Sequence, residues 1–288
     1  MPYQHSLFVV GLASLSVFFI SAPKRQPALN TAPPPVYPLR PAPAASAILD
    51  RAATEFDPSR LEWLQMTFTH RVNAEPLSFE SAGTYQAGPN QRLHVEWEVR
   101  SGAARRRLQT ISDGQTIWEI EEAGSDRQRV LQRPKTPDQS AAATKSKSAK
   151  LPGIIGPAGT IAALRREVTF THQEKVRWGN RDVLVLTGAS SKSVAGECPP
   201  FQPRQCRLVL DAVTYWPHRV EWWGPAPGVT GDVRLVQIEM HQPVLHEPLP
   251  ESLFTFKAPS GTTDENSDRG ARRRRSSSGW SVIGWPVD

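Results

Sequence analysis

Between Gly83 and Arg133 the chain alternates apolar and polar residues in short runs broken by turn residues. Leu93, Val95, Trp97 and Val99 interleave with Arg92, His94, Glu96 and Glu98. Successive side chains of a strand point to opposite faces, so this period of two describes a strand with one buried and one wet face. The runs Arg105 to Ile111 and Gln115 to Glu121 flank Asp113-Gly114, a pair suited to the backbone geometry of a tight hairpin turn. Gln128 to Arg133 continues the pattern. The segment is a β-meander, and it sets the fold class before any chemistry is considered.

The rest of the chain extends the same architecture. Leu64, Met66, Phe68 and Val72 share one strand face, and Phe79 to Tyr85 forms the next strand. Later strands are expected at Val168 to Trp178, Asp182 to Thr187, Arg207 to Leu210, His218 to Trp223 and Val233 to His241. Ile48, Leu49, Ala52, Ala53 and Phe56 recur at helical spacing behind Ser46, a candidate N-cap. Asp57-Pro58 ends that helix, because the residue before proline is driven out of the helical region. A second short helix is expected over Gly159 to Arg166. Leu253, Phe254 and Phe256 are placed as a plug on one side of the sheet. Ten or eleven antiparallel strands with two short helices make a mainly β (α+β) fold. It is expected as an incomplete antiparallel β-barrel, or a strongly curved sheet, covered by short lid helices.

The ends and one insert do not belong to that fold. Leu7 to Ala22 is an apolar run of 16 residues, the length of a signal-peptide core rather than of a freely spanning helix. Residues 1–22 are therefore a signal peptide or, uncleaved, an N-terminal membrane anchor. Residues 23–44 form a Pro-rich linker, 45–261 the folded domain, 134–150 a flexible insert within it, and 262–288 an Arg/Ser-rich tail. The formal net charge is +6, and Arg272 to Arg275 alone supply four positive charges. With the excess in the tail and no nucleic-acid motif in the domain, a nucleic-acid partner is not expected. The N-terminus or the basic tail could meet an anionic membrane surface instead.

The two cysteines, Cys198 and Cys206, are separated by seven residues. In an exported chain such a pair most simply forms a disulfide; two free thiols are the alternative. No metal site is expected, because neither C-x-x-C nor H-E-x-x-H occurs. No nucleophile motif and no phosphate-binding loop is present, so neither catalytic residues nor a cofactor are assigned. His94 is expected to face solvent; His70 and His172 could lie inside, where a lone strand histidine is ordinarily structural. Glu96 and Glu98 read as a solvated face paired with Arg105, Arg106 and Arg107.

Four motifs then occur in order. Gly83-x-Tyr85 leads to Pro89 and Arg92-Leu93-His94-Val95-Glu96. Ile111-Ser112-Asp113-Gly114 precedes Ile117-Trp118. Leu208-Val209-Leu210-Asp211 precedes Trp216-Pro217-His218-Arg219-Val220-Glu221. Leu253-Phe254-Thr255-Phe256 is followed by Pro259 and Gly261. In this order they resemble the periplasmic outer-membrane lipoprotein carrier superfamily, LolA/LolB-like, from about Ala45 to Gly261. The resemblance implies an unclosed barrel with helices as a lid over an apolar cavity, in a periplasmic or extracytoplasmic protein that is not an enzyme and uses no cofactor.

On that reading the expected function is non-enzymatic binding or carrying of an apolar ligand, the acyl chains of a lipid or lipoprotein. The helix around Ile48 to Phe56 is the lid. Leu64, Met66, Phe68, Leu93, Val95, Trp97 and Trp118 are candidate wall residues, although tryptophan on a strand is also ordinary core. The alternative is a scaffold or envelope sensor module held at the inner membrane, its cavity filled by side chains. The linker, the insert, the cysteine loop and the basic tail are additions to the carrier pattern.

Overall fold

The computed structural model describes residues 43–57, 60–74, 77–123, 128–134, 156–190 and 202–257. The expected signal or anchor, nearly all of the linker, the insert beyond Pro134, Cys198 and the basic tail lie outside the described residues. Helix α1 (Pro43–Glu55) is followed by β1 (Leu64–Ala74), β2 (Leu77–Gly88), β3 (Arg92–Ser101), β4 (Ala104–Ser112), β5 (Thr116–Ala123) and β6 (Gln128–Pro134). Then come α2 (Gly156–Glu167), β7 (Val168–Trp178), β8 (Arg181–Ser190), β9 (Gln205–Asp211), β10 (Pro217–Pro225) and β11 (Asp232–Leu245). A 3-10 turn at Glu251–Phe254 ends the list.

The eleven strands form one sheet in the order β6-β5-β4-β3-β2-β1-β11-β10-β9-β8-β7. Among the described residues every strand pairing is antiparallel, and β6 and β7 stand at the two ends, so the sheet is unclosed. All neighbours are also consecutive in sequence, except that β1 pairs with β11. That one pairing joins the two halves of the chain.

Side-chain caps set the turns. The Asp113 Oδ1 accepts from the backbone N–H groups of Gln115 and Thr116, each at 2.7 Å. Gly114 follows at φ +98°, a left-handed value that a side chain resists. The Asp211 Oδ1 does the same for Val213 and Thr214 at 2.9 Å in the β9–β10 turn. Helix α1 opens earlier than the sequence suggests. Pro43 stands at its first position, where a missing N–H costs nothing, and Ser46 lies inside the helix rather than capping it.

Ala45, Leu49 and Ala52 of α1, continued by Phe56 just past its end, form a buried stripe, with Ile48 and Ala53 half-buried at its flanks. The stripe packs with Ile161 and Leu164 of α2 onto one face of the sheet, where Leu208, Leu210, Val220, Trp222, Ile238 and Met240 complete the core. This helix-bearing side is the concave face of the unclosed sheet. Phe56 meets Trp216 edge-on at 5.5 Å. Cys206 belongs to the same core: it is a free thiol with no exposed surface. Cys198, its expected disulfide partner, lies outside the described residues. Cys206 is the second residue of β9, paired with Gly188 of β8 and Trp222 of β10, where a small apolar side chain fills the core. Burial pushes its thiol pKa well up.

The opposite, convex face is buried by different means. A second apolar cluster joins Ile111, Ile120 and Val130 to Trp118 and to Phe256, which follows the 3-10 turn. Further along, β9 and β10 are buried on both faces. There the Glu221 carboxylate, 1% exposed, lies 3.4 Å from Arg207, 3.1 Å from Arg234 and 3.7 Å from Arg219. Arg219 in turn pairs with Glu239 at 2.5 Å. The indole N–H of Trp223 donates to Glu221 at 3.4 Å, and its ring lies 5.8 Å from both Arg207 and Arg234. Arg219 lies over Trp178 at 4.8 Å. Planar guanidinium groups stacked on indoles cover apolar area while still meeting carboxylates.

Candidate functional site

Three rows of side chains cross β1, β2 and β3 on the concave face. Leu64 is opposite Ala87, and Ala87 is opposite Leu93. Met66, Tyr85 and Val95 make the next row, and Phe68, Gly83 and Trp97 the third. Directly paired residues of antiparallel strands share a face, so six of the expected wall residues converge on one surface. Leu64, Met66, Phe68 and Val95 are buried, whereas Leu93 and Trp97 are half-buried. Gly83 is what lets the third row form. A Cβ there would stand 2.6 Å from the Trp97 Cβ, so the bare backbone leaves room for the tryptophan.

Trp118 is not part of this wall. It pairs with Ile111, which pairs with His94, and that row belongs to the convex face. Its ring packs 6.2 Å from Phe256. The strand alternation is correct, but only the hairpin register tells which alternate set of β5 looks inward.

The wall also contains groups that hydrophobicity alone does not single out. Tyr85 lies between Met66 and Val95, and burial raises its phenol pKa to about 12. The first residue of α2, Gly156, sits against its ring at φ +69°. His70 follows Phe68 on the same face, opposite Ser81 on β2 and Ile238 on β11. It is 3% exposed, stands edge-on to Phe79 at 5.4 Å, and its Nε2 has no hydrogen-bond partner. Burial lowers its pKa from 6.5 to about 4, so the ring is neutral at neutral pH. The period of two from Met66 through Phe68 to Val72 already places His70 on this face.

His94 departs from its expected solvent exposure. It is half-buried on the convex face, 3.1 Å from the Gln86 side chain and 2.9 Å from that of Gln109. Burial lowers its pKa. Glu96 pairs with Arg107 at 2.7 Å as expected, but Glu98 pairs with Arg100 on its own strand, and the Arg106–Glu121 pair at 2.9 Å lies on the Trp97 face instead.

Helix α1 lies over the core with one face to solvent. A groove of about 260 Å³ runs between α1, α2 and β7, with Leu49, Val168 and Phe170 among its lining. Arg165 of α2 bridges to Asp50 of α1 at 2.5 Å beside it. Arg51 stacks 5.3 Å over the Tyr215 ring. Among the described residues, no group of three His, Cys, Asp or Glu side chains converges as a metal site.

The architecture is thus an open antiparallel sheet whose concave apolar face carries two short helices. Structures similar to it include MucB, at 17% identity and TM-score 0.40, with 75% of this chain and 64% of MucB covered. The chain therefore spans less than two thirds of MucB. LprF from Mycobacterium bovis matches at 14% identity and TM-score 0.43, over 73% of this chain and 96% of LprF. The LolA superfamily protein NE2245 from Nitrosomonas europaea matches at 16% identity and TM-score 0.29, over 74% of this chain and 97% of that one. No protein-family model matches the sequence, and no curated protein matches it.

Proposed function

We propose that the concave face is a non-catalytic binding surface for the acyl chain of a lipid or lipoprotein, in an extracytoplasmic protein, with α1 as its movable lid. The observation that carries this reading is the three-row wall from β1 to β3, in which Leu93 and Trp97 keep partial exposure beside a core filled by a helix. The helix holds on through apolar contacts at Ala45, Leu49, Ala52 and Phe56. Its Asp50–Arg165 bridge is half-exposed, and such pairs contribute at most about 1 kcal/mol. An acyl chain that enters as the helix withdraws replaces apolar contact with apolar contact. It then gains roughly 25 cal/mol for each Å² of its own surface removed from water.

The test is displacement of a fluorescent fatty acid from the purified protein by dodecanoate. Saturable binding that weakens in Trp97→Ala is expected. No binding to the wild-type protein would sink the proposal. A second reading, a scaffold or sensor module with a filled cavity anchored at the inner membrane, draws support from Phe56, which already occupies the concave face against Trp216. It expects no ligand uptake at all.

A further inference from the structure

The concave face is apolar along β1 except at one position. Phe68, Val72, Ile238 and Phe79 lie around His70, the buried Ser81 is its cross-strand neighbour on β2, and the Nε2 of the ring is nonetheless buried without a partner. An unsatisfied buried polar atom is unfavourable, and leucine in its place would remove the penalty without opening a large void. A neutral imidazole here is therefore a hydrogen-bonding group in search of a partner, set on the surface that faces the helices.

We infer that His70 is the head-group contact of the acyl site: its Nε2 pairs with the carbonyl end of an acyl chain whose tail lies along the Met66–Tyr85–Val95 row. The inference rests on the acyl-binding reading above and adds which end of the ligand goes where. A carbonyl oxygen accepts from the ring N–H; a free carboxylic acid can instead donate its O–H to the ring lone pair, so it suits either tautomer. Tail contacts alone would bind any alkane of equal length. One buried polar group gives the site a preference for acyl chains over alkanes, since specificity at an apolar site comes from a few placed polar groups. Neutrality of the ring suits an ester carbonyl or a protonated carboxyl group, neither of which buries net charge.

The experiment titrates the full-length wild-type protein and His70→Leu with dodecanoic acid, methyl dodecanoate and dodecane. NMR follows the ring nitrogens of His70 in parallel. The acid is expected to bind the wild type about fivefold more tightly than His70→Leu, as one hydrogen bond implies, with dodecane binding both equally. The Nε2 resonance should move when the acid is added. A parallel loss for the ester assigns the contact to any acyl carbonyl; a loss for the acid alone assigns it to a free carboxyl group. His70→Asn, which keeps a donor and an acceptor, should recover part of the acid affinity. If His70→Leu binds all three compounds as the wild type does and the resonance is unmoved, the head-group contact is overturned while acyl binding stands. If the wild type binds none of them, both proposals fall.

Discussion

Trp97 lies directly across from Gly83 on the concave face, and the space a Cβ would need at Gly83 is taken by the tryptophan and by the Glu96 carbonyl. The relationship explains how the largest side chain of β3 is accommodated on a closely packed face. Gly83→Ala forces either the strand or the indole to move. It should cost about 1–3 kcal/mol, the range for overpacking a well-filled site, and urea unfolding measures it. Unchanged stability would mean that the indole has free space elsewhere.

The lid contacts separate into strong and weak. Leu49→Ala removes a side chain that is 5% exposed and should cost roughly 2–5 kcal/mol. Asp50→Ala breaks only the half-exposed bridge to Arg165 and should stay within about 1 kcal/mol of wild type. If the two variants unfold at the same urea concentration, α1 is not held by its apolar face.

Glu221 neutralises three guanidinium groups from a site with 1% exposure. Glu221→Ala removes the carboxylate shared by Arg207, Arg219 and Arg234, of which Arg219 keeps Glu239. The loss should be about 3–5 kcal/mol, the cost of removing one partner from a buried ion pair. Glu98→Ala serves as the control, because its Arg100 partner is 59% exposed; it should be nearly neutral.

Acid should weaken the fold through His70. Its pKa falls from 6.5 to about 4 on folding, so the unfolded chain binds the proton more readily. Stability is therefore whole above pH 6.5 and declines as pH drops toward 4, by up to about 3 kcal/mol. His218 shifts in the same direction, lowered to about 4 by burial first and by Arg181 next. The difference between wild type and His70→Leu isolates the first contribution, and thermal melts between pH 4 and pH 7 should show His70→Leu losing less. Parallel curves would contradict the burial of a neutral ring.

Cys206 should resist modification in the native state, because its thiol is buried and its pKa is raised. A thiol reagent is expected to label it only on unfolding, and a reductant should leave the melting temperature unchanged. A drop in melting temperature with reductant would restore the disulfide expected from sequence.

The strands were largely legible in the chain, since a half-buried strand needs alternation and this chain supplies it from Leu64 to Val72 and from Arg92 to Val99. The Asp113-Gly114 turn was equally legible, because only a few residues tolerate its geometry. Face assignment was legible on β1 and β3 but not on β5, where Trp118 and Ile117 alternate and either could point inward. The buried cluster around Glu221 was not legible at all: Arg207, Glu221, Arg234 and Glu239 read locally as ordinary charged strand residues.

By itself the sequence determined the local conformations: where strands run, where they turn, and which residues share a strand face. These depend on backbone sterics and on a period of two, both properties of neighbours in the chain. Only the tertiary structure decided which faces meet. The pairing of β1 with β11 joins residues more than 160 positions apart. It joins the apolar set of β1 to the core shared with α1 and α2, brings Thr69 beside Glu239, and sets His70 between Ser81 and Ile238 with its Nε2 unpartnered. Such contacts depend on register between distant segments, and no local pattern of residues encodes that register.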